Sequence, residues 1–208
     1  MNSPGDPERP LIDAWVAGDA QAGDALLARY YQRVLRFFAI RQPLAAEDLT
    51  QRTFLACAEA RGSIRDRNAF ASFVFGVARH QMLRYQRERE YEERRAKFPD
   101  FAGPDEAGPS PSQVIVMHEE QQLVLRALQE LPLEVQWLIE LYYWERMNTT
   151  QIAAVLEVPV STVTSRLMRA RRRLREVAEQ LVTVEPRRQS LLQDFEAWVA
   201  SIRELRVE

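Results

Sequence analysis

The stretch Leu131–Arg175, LPLEVQWLIELYYWERMNTTQIAAVLEVPVSTVTSRLMRARRRLR, limits the possible folds of this chain more than any other. It contains two short helical patterns, Thr149–Leu156 and Val160–Arg175, separated only by Glu157, Val158 and Pro159. Three residues are the length of a helix-turn-helix corner, and a proline where the second helix begins sacrifices no hydrogen bond, because the first amides of a helix have no partner inside it. On the second helix Val163, Leu167, Ala170 and Leu174 recur at steps of four, three and four and form one apolar stripe. At about 100° per residue the opposite side carries Ser161, Ser165, Met168, Arg169 and Arg172, flanked by Thr162, Thr164, Arg166, Arg171 and Arg173. Six arginines fall between positions 166 and 175 with no acid among them. An apolar back, small hydroxyls at the N-terminal end and guanidinium groups further along suit a DNA groove: the hydroxyls let the backbone approach base edges, and arginines meet phosphates or guanine. A lone arginine-rich helix is as readily a solvated surface, but the helix and corner before it favour DNA.

The rest of the chain agrees with an all-α protein. Leu11–Ala17 reads as a short helix closed by Gly18, with Asp19 as the cap of the next. From Ala20 to Arg41 the pattern Leu27, Tyr31, Val34, Phe38, with Leu26, Tyr30 and Phe37 beside it, predicts a long core-facing helix ended by Pro43. Ala45–Arg61 is a third, with Leu49, Phe54, Leu55 and Ala58 apolar and Glu47, Asp48, Gln51 and Arg52 polar. A loop over 62–68 leads to a fourth helix, about Ala69–Arg95, apolar at Phe70, Phe73, Val74 and Val77 and densely charged in its second half. Between 96 and 112 prolines and glycines spaced by acids cannot hold a helix, and this reads as a flexible linker. The expected organisation is therefore a helical domain over 1–96, a linker over 97–112, a helix-turn-helix domain over 113–179 and a helical extension over 180–208.

Charge and composition exclude several classes. With 208 residues, 46% hydrophobic and 28% charged, the chain suits one or two small globular domains, and no apolar run approaches the ~20 residues of a membrane helix. The polar, proline-bearing start has no secretory pattern, so a cytoplasmic protein without membrane insertion is expected. One cysteine, Cys57, and two histidines, His80 and His118, exclude an internal disulfide and a cysteine- or histidine-rich metal site. No glycine-rich phosphate loop, carboxylate cluster with metal-binding spacing or nucleophile–base pair stands out, so neither cofactor nor enzymatic activity is expected. A net charge of −2 is unusual for a DNA binder and implies either segregated charge or help from a larger partner.

Together these segments resemble a bacterial RNA polymerase sigma factor of the extracytoplasmic-function group, which keeps only the second and fourth sigma regions. The resemblance spans roughly Leu11–Arg95 and Leu123–Arg175 and rests on AGDAQAGDALLARYYQRVLRF (17–37), AEDLTQRTFL (46–55), FASFVFGVARHQMLRYQR (70–87), LQELP (128–132) and QIAAVLEVPVSTVTSRLMRARRRLR (151–175), in that order and spacing. It implies binding to core polymerase, through the β′ clamp and the β flap, and to promoter DNA. It places β′ docking on Asp48, Gln51 and Phe54, and capture of the melted −10 strand on Ser63, Ile64, Arg65, Arg67 and Asn68, with Arg79, Arg84 and Arg87 along the phosphates. The −35 element would be met by Ser161, Thr162, Thr164, Ser165, Arg166, Met168, Arg169, Arg172 and Arg173. Phe54 and Phe73 equally suit core packing. The chain departs from its relatives at Arg52 and Gln151, where Glu is common, at Ser161 for Gly, at Phe73 for Trp, and at His80 and Arg84 for Asn and Asp. Each half alone would bind DNA weakly, and the linker would make the second contact intramolecular, with polymerase fixing the spacing.

One other reading stays beside this one. A conventional helix-turn-helix regulator would act without polymerase but leaves AEDLTQRTFL and the arginine-bearing loop unexplained. Beyond the resemblance, Leu191, Phe195, Trp198, Ile202 and Leu205, with Leu192 and Val199, form an amphipathic seam in a helix expected from Pro186. A lone helix of that length is marginal in water, so the seam should be buried. It would pack on its own C-terminal domain, or regulate by contacting the N-terminal domain or a partner such as an anti-sigma factor.

Overall fold

The structure is a computed structural model of the chain, and it describes residues 8–64, 66, 69–96, 119–181 and 195–201. Among these, every regular element is helical. They fall into two compact units, Met1–Gln113 and Val114–Glu208. The linker 97–112, the loop residues Arg65, Arg67 and Asn68, and Pro186, Leu191, Leu192, Ile202 and Leu205 with the Trp198 side chain lie outside the described residues.

In the first unit, α1 (Arg9–Val16) ends at Gly18, whose φ of 108° is open to a residue without a Cβ. Asp19 then caps α2 (Ala20–Ala39): its carboxylate accepts from the amides of Gln21 and Ala22 at 2.9 and 3.2 Å. The two helices touch where Gly23 meets the buried indole of Trp15, and a side chain on Gly23 would run into that ring. α2 buries Leu26, Tyr30, Val34, Phe37 and Phe38, while Tyr31 is 38% exposed. The core stripe is thus centred one position earlier than the expected Leu27–Tyr31 phase. Tyr30 wins the interior because its hydroxyl donates to Glu8 Oε2 at 2.6 Å and its ring meets Phe70 edge-on, so the buried phenol is both satisfied and packed.

A 3₁₀ turn at Pro43–Ala45 leads into α3 (Ala46–Glu59), which buries Ala46, Leu49, Thr50, Thr53 and Cys57. The two threonine hydroxyls donate back to the Ala46 and Leu49 carbonyls, each at 2.7 Å, which makes them tolerable in the core. α4 (Phe70–Ala96) contributes Phe70, Val74, Phe75, Ala78 and Met82 to the interior. Its second half leaves the core and is laced by one-turn ion pairs, Arg84–Glu88, Arg89–Glu93 and Glu90–Arg94.

The second unit contains α5 (Glu119–Gln129), α6 (Leu133–Tyr143), α7 (Thr149–Leu156), α8 (Val160–Leu181) and α9 (Phe195–Ala200). α6 is its axle: Gln136 through Leu141 are all buried. α8 runs six residues beyond the expected Arg175, because Val177 and Ala178 continue the stripe of Val163, Leu167, Ala170 and Leu174.

Candidate nucleic-acid interface

The corner between α7 and α8 is built by local chemistry. Asn148 and Gln151 form a reciprocal capping box: the Asn148 carboxamide oxygen accepts from the Gln151 amide at 2.9 Å, and the Gln151 carboxamide oxygen accepts from the Asn148 amide at 3.0 Å. α7 closes at Glu157, a left-handed residue with φ 57°, and the Val158 amide donates to the Ala153 carbonyl at 3.2 Å. Pro159 follows and its carbonyl accepts from the Thr162 and Val163 amides, starting α8. Ile152, Val155 and Leu156 are buried with Val163 and Leu167, so the apolar backs of both helices share one core.

That burial leaves the expected DNA-facing set outward. Ser161, Thr164, Ser165, Arg169, Arg172 and Arg173 are exposed, Met168 is 70% exposed, and Thr162 and Arg166 are half-buried. The hydroxyls are used locally: Thr164 donates to the Val160 carbonyl at 3.3 Å and Ser165 to that of Thr162 at 3.1 Å. The arginines differ in their neighbours. Arg166 pairs with Glu134 of α6 at 3.4 Å, and Arg172 and Arg173 share Glu176 at 3.7 and 3.3 Å. Arg171 pairs with Glu196 of α9 at 3.2 Å and lies over the Tyr142 ring, and Arg175 lies over Phe195. Arg169 alone in this run meets neither a carboxylate nor a ring among the described residues; its Nε donates to the Ser165 carbonyl at 3.3 Å. The basic face therefore has a bare centre and paired edges.

In the first unit Asp48 and Gln51 are exposed on α3, and Phe54 is half-buried with its ring 6.2 Å from that of Tyr31. Arg52 joins Asp48 at 2.8 Å and Glu88 of α4 at 3.8 Å, and Glu88 also takes Arg84 at 2.7 Å. The two arginines that depart from the family pattern, Arg52 and Arg84, thus share one carboxylate. Sequence reasoning grouped Leu55 with the apolar positions of α3, but it is 63% exposed. It lies seven residues, two turns, from Asp48, and so falls on the same outward face as Asp48, Gln51 and Arg52. That phase was the available signal.

The residues expected at the melted strand are distributed unevenly. Ser63 is exposed and donates to the Ala60 carbonyl at 2.7 Å. Ile64 is only 5% exposed, so its side chain belongs to the core beneath the loop and not to an open pocket. Arg65, Arg67 and Asn68 lie outside the described residues. Arg79 is half-buried, Arg84 and Arg87 are exposed on the part of α4 that leaves the core, and Arg87 donates to the Leu83 carbonyl at 3.2 Å. Phe73 is half-buried against Phe70, and His80 is exposed. Cys57 is fully buried, and burial pushes its thiol up to about 12, which leaves it protonated and unreactive. Among the described residues no three His, Cys, Asp or Glu side chains converge as metal ligands, and no helix is long and apolar enough to cross a membrane.

Comparison with known proteins matches residues 25–91 to sigma-70 region 2 and residues 121–174 to sigma-70 region 4, more than half of the chain together. The RNA polymerase sigma-H factor of Pseudomonas aeruginosa is 25% identical over 185 residues, covering 84% of this chain and 95% of that protein. The ECF RNA polymerase sigma-E factor of Escherichia coli K12 is 25% identical over 183 residues, covering 84% and 96%. The chain belongs to the extracytoplasmic-function group of sigma-70 factors. Solved structures share its fold. CnrH in complex with the cytosolic domain of CnrY matches with a TM-score of 0.59 and 23% identity over 85% of this chain and all of that one. RpoE of Bartonella quintana, bound to the anti-sigma factor NepR, matches with a TM-score of 0.57 and 23% identity over 76% and 96%. As a sigma factor, the protein directs promoter-specific transcription with RNA polymerase. Both family matches stop short of α9.

Proposed function

We propose a division of that activity between named faces. The outward face of α3, Asp48, Gln51 and Leu55 with Phe54 at its edge, docks on the β′ clamp of core polymerase. The 62–68 loop, with Arg79, Arg84 and Arg87 of α4, engages the melted −10 strand, and α8 enters the major groove of the −35 element. The observation that carries this reading is the orientation of α8: its apolar stripe is buried behind a capped α7, and its serine, threonine and arginine face is open. Within that face Arg169, which meets no carboxylate among the described residues, reads a base, and the arginines at the edges contact phosphates. The protein carries no catalytic step of its own and works in the cytoplasm, where polymerase is. An anti-sigma factor is a further proposed partner, in keeping with the NepR complex of the Bartonella quintana relative.

The test is reconstitution. The full chain mixed with core polymerase should form a holoenzyme by gel filtration, and that holoenzyme should select −10 and −35 sequences from a randomised promoter library in run-off transcription. Tight, sequence-specific duplex binding by the free chain, with no polymerase capture, would instead favour the conventional regulator.

A further inference from the structure

The tail ends in a contact that neither sigma region accounts for. α9 is fixed to its own unit by a set of interactions that do not involve its charge. Phe195 is 4% exposed and Val199 fully buried; Trp144 Nε1 donates to the Val199 carbonyl at 2.7 Å, and Gln121 Nε2 to the Ser201 carbonyl at 3.2 Å. Docked there, α9 becomes one wall of a groove of about 480 Å³ that runs beside α8. Thr149 at the start of α7 and Thr164 and Met168 of α8 line it, together with Arg171, Arg172 and Arg175. Three guanidinium groups and the first turn of the preceding helix converge on one concavity on the flank of the helix assigned to DNA. This is the chemistry that holds a phosphodiester: cations, the Thr149 hydroxyl and the positive end of a helix. Into this groove α9 places a single acid, Glu196, 3.2 Å from Arg171, which is itself held in position over Tyr142.

We propose that the groove between α7, α8 and α9 seats a backbone phosphate of duplex DNA, and that Glu196 of the tail keeps Arg171 off that phosphate when the free protein meets DNA of arbitrary sequence, yielding it only when the holoenzyme presents DNA in register. The tail then acts as a built-in counter-ion that lowers non-specific DNA affinity. It costs less when DNA is presented in register by the holoenzyme, since the other contacts are already made. An ion pair this exposed is weak enough to exchange: the Glu196 side chain is 66% and that of Arg171 34% accessible. The inference rests on the assignment of α8 to DNA.

The experiment uses the full chain and a duplex of arbitrary sequence, about 20 base pairs long, titrated between about 50 and 200 mM salt, because a phosphate contact is blind to sequence and read by salt. Glu196→Gln should steepen the slope of log affinity against log salt by about 0.9, equivalent to roughly 3.5-fold more affinity gained across that fourfold fall in salt. Glu130→Gln, the same charge change at an exposed position just past α5, should leave the slope alone, and Arg171→Ala combined with Glu196→Gln should cancel the gain. An unchanged slope in Glu196→Gln, an equal steepening in Glu130→Gln, or a gain that survives loss of Arg171 would each overturn the proposal. Arg173→Ala, on the exposed face of α8 but outside the groove, separates this idea from its foundation. If it weakens binding while Glu196→Gln does nothing, only the tail's role falls; if it leaves binding unchanged, the assignment of α8 falls too.

Discussion

The outward faces of α3 and α8 use charge in opposite ways. On α3 the counter-ion sits in the middle of the face: Arg52 pairs with Asp48 one turn away and reaches Glu88 of α4, so acid and base cancel beside an exposed Leu55. On α8 the acids stand at the edges, Glu134, Glu176 and Glu196, and the centre at Arg169 stays uncompensated among the described residues. A nearly neutral face with an apolar centre cannot steer a partner from a distance; it binds by fit and by removing apolar surface from water. A face with a bare cation attracts a polyanion at long range and loses that attraction in salt. On the proposed assignment the contrast also reconciles a DNA-binding role with a net charge of −2, since positive charge is concentrated on the face assigned to duplex DNA and cancelled on the face assigned to polymerase.

The contrast can be broken at either face. The largest effect is expected at α3: Asp48→Arg combined with Gln51→Arg replaces a balanced surface with three neighbouring cations and should abolish capture by core polymerase at unchanged circular dichroism. Retained capture would put the docking surface elsewhere. Next comes Arg169→Ala, which should cost roughly 1–3 kcal/mol on a selected −35 duplex and much less on a scrambled one. Equal loss on both would make Arg169 a phosphate contact and erase the distinction between centre and edge. Leu55→Ala should weaken core binding by about 1–2 kcal/mol, and by the same factor at low and high salt, as an apolar contact does. A strong salt dependence of that loss would show the two faces to be alike. Smallest is Arg173→Ala, which should weaken all duplexes uniformly and reduce the salt slope by about 0.9, measured by the same titrations.

The second unit was more legible in the sequence than the first, for a physical reason. A helix-turn-helix declares itself through local features: a cap, a three-residue corner, and a stripe whose opposite side is by geometry the working face. The positions of Asn148, Glu157, Pro159 and Val163 are all decided within one or two turns. In the first unit the working surfaces are decided by tertiary choices. Whether Tyr30 or Tyr31 faces inward depends on Glu8, twenty-two residues away, offering its hydroxyl a partner. Ile64 looks like pocket lining in a polar loop until the core beneath claims it, and Leu55 looks like core until its phase is set against Asp48. The tail was legible only as a seam in need of cover. That Phe195 and Val199 find this cover on α9's own unit, and that Glu196 reaches Arg171, depends on long-range packing with no local signature.

The amide at position 151 has an effect that its hydrogen bonds alone do not reveal. A carboxylate there would close the same cap while adding a full negative charge to the first turn of α7. Gln151 makes the cap with a neutral group. The helix start therefore keeps its partial positive field undiminished on the side from which a polyanion approaches, and no proton equilibrium at this position can tighten or loosen the corner as acidity changes.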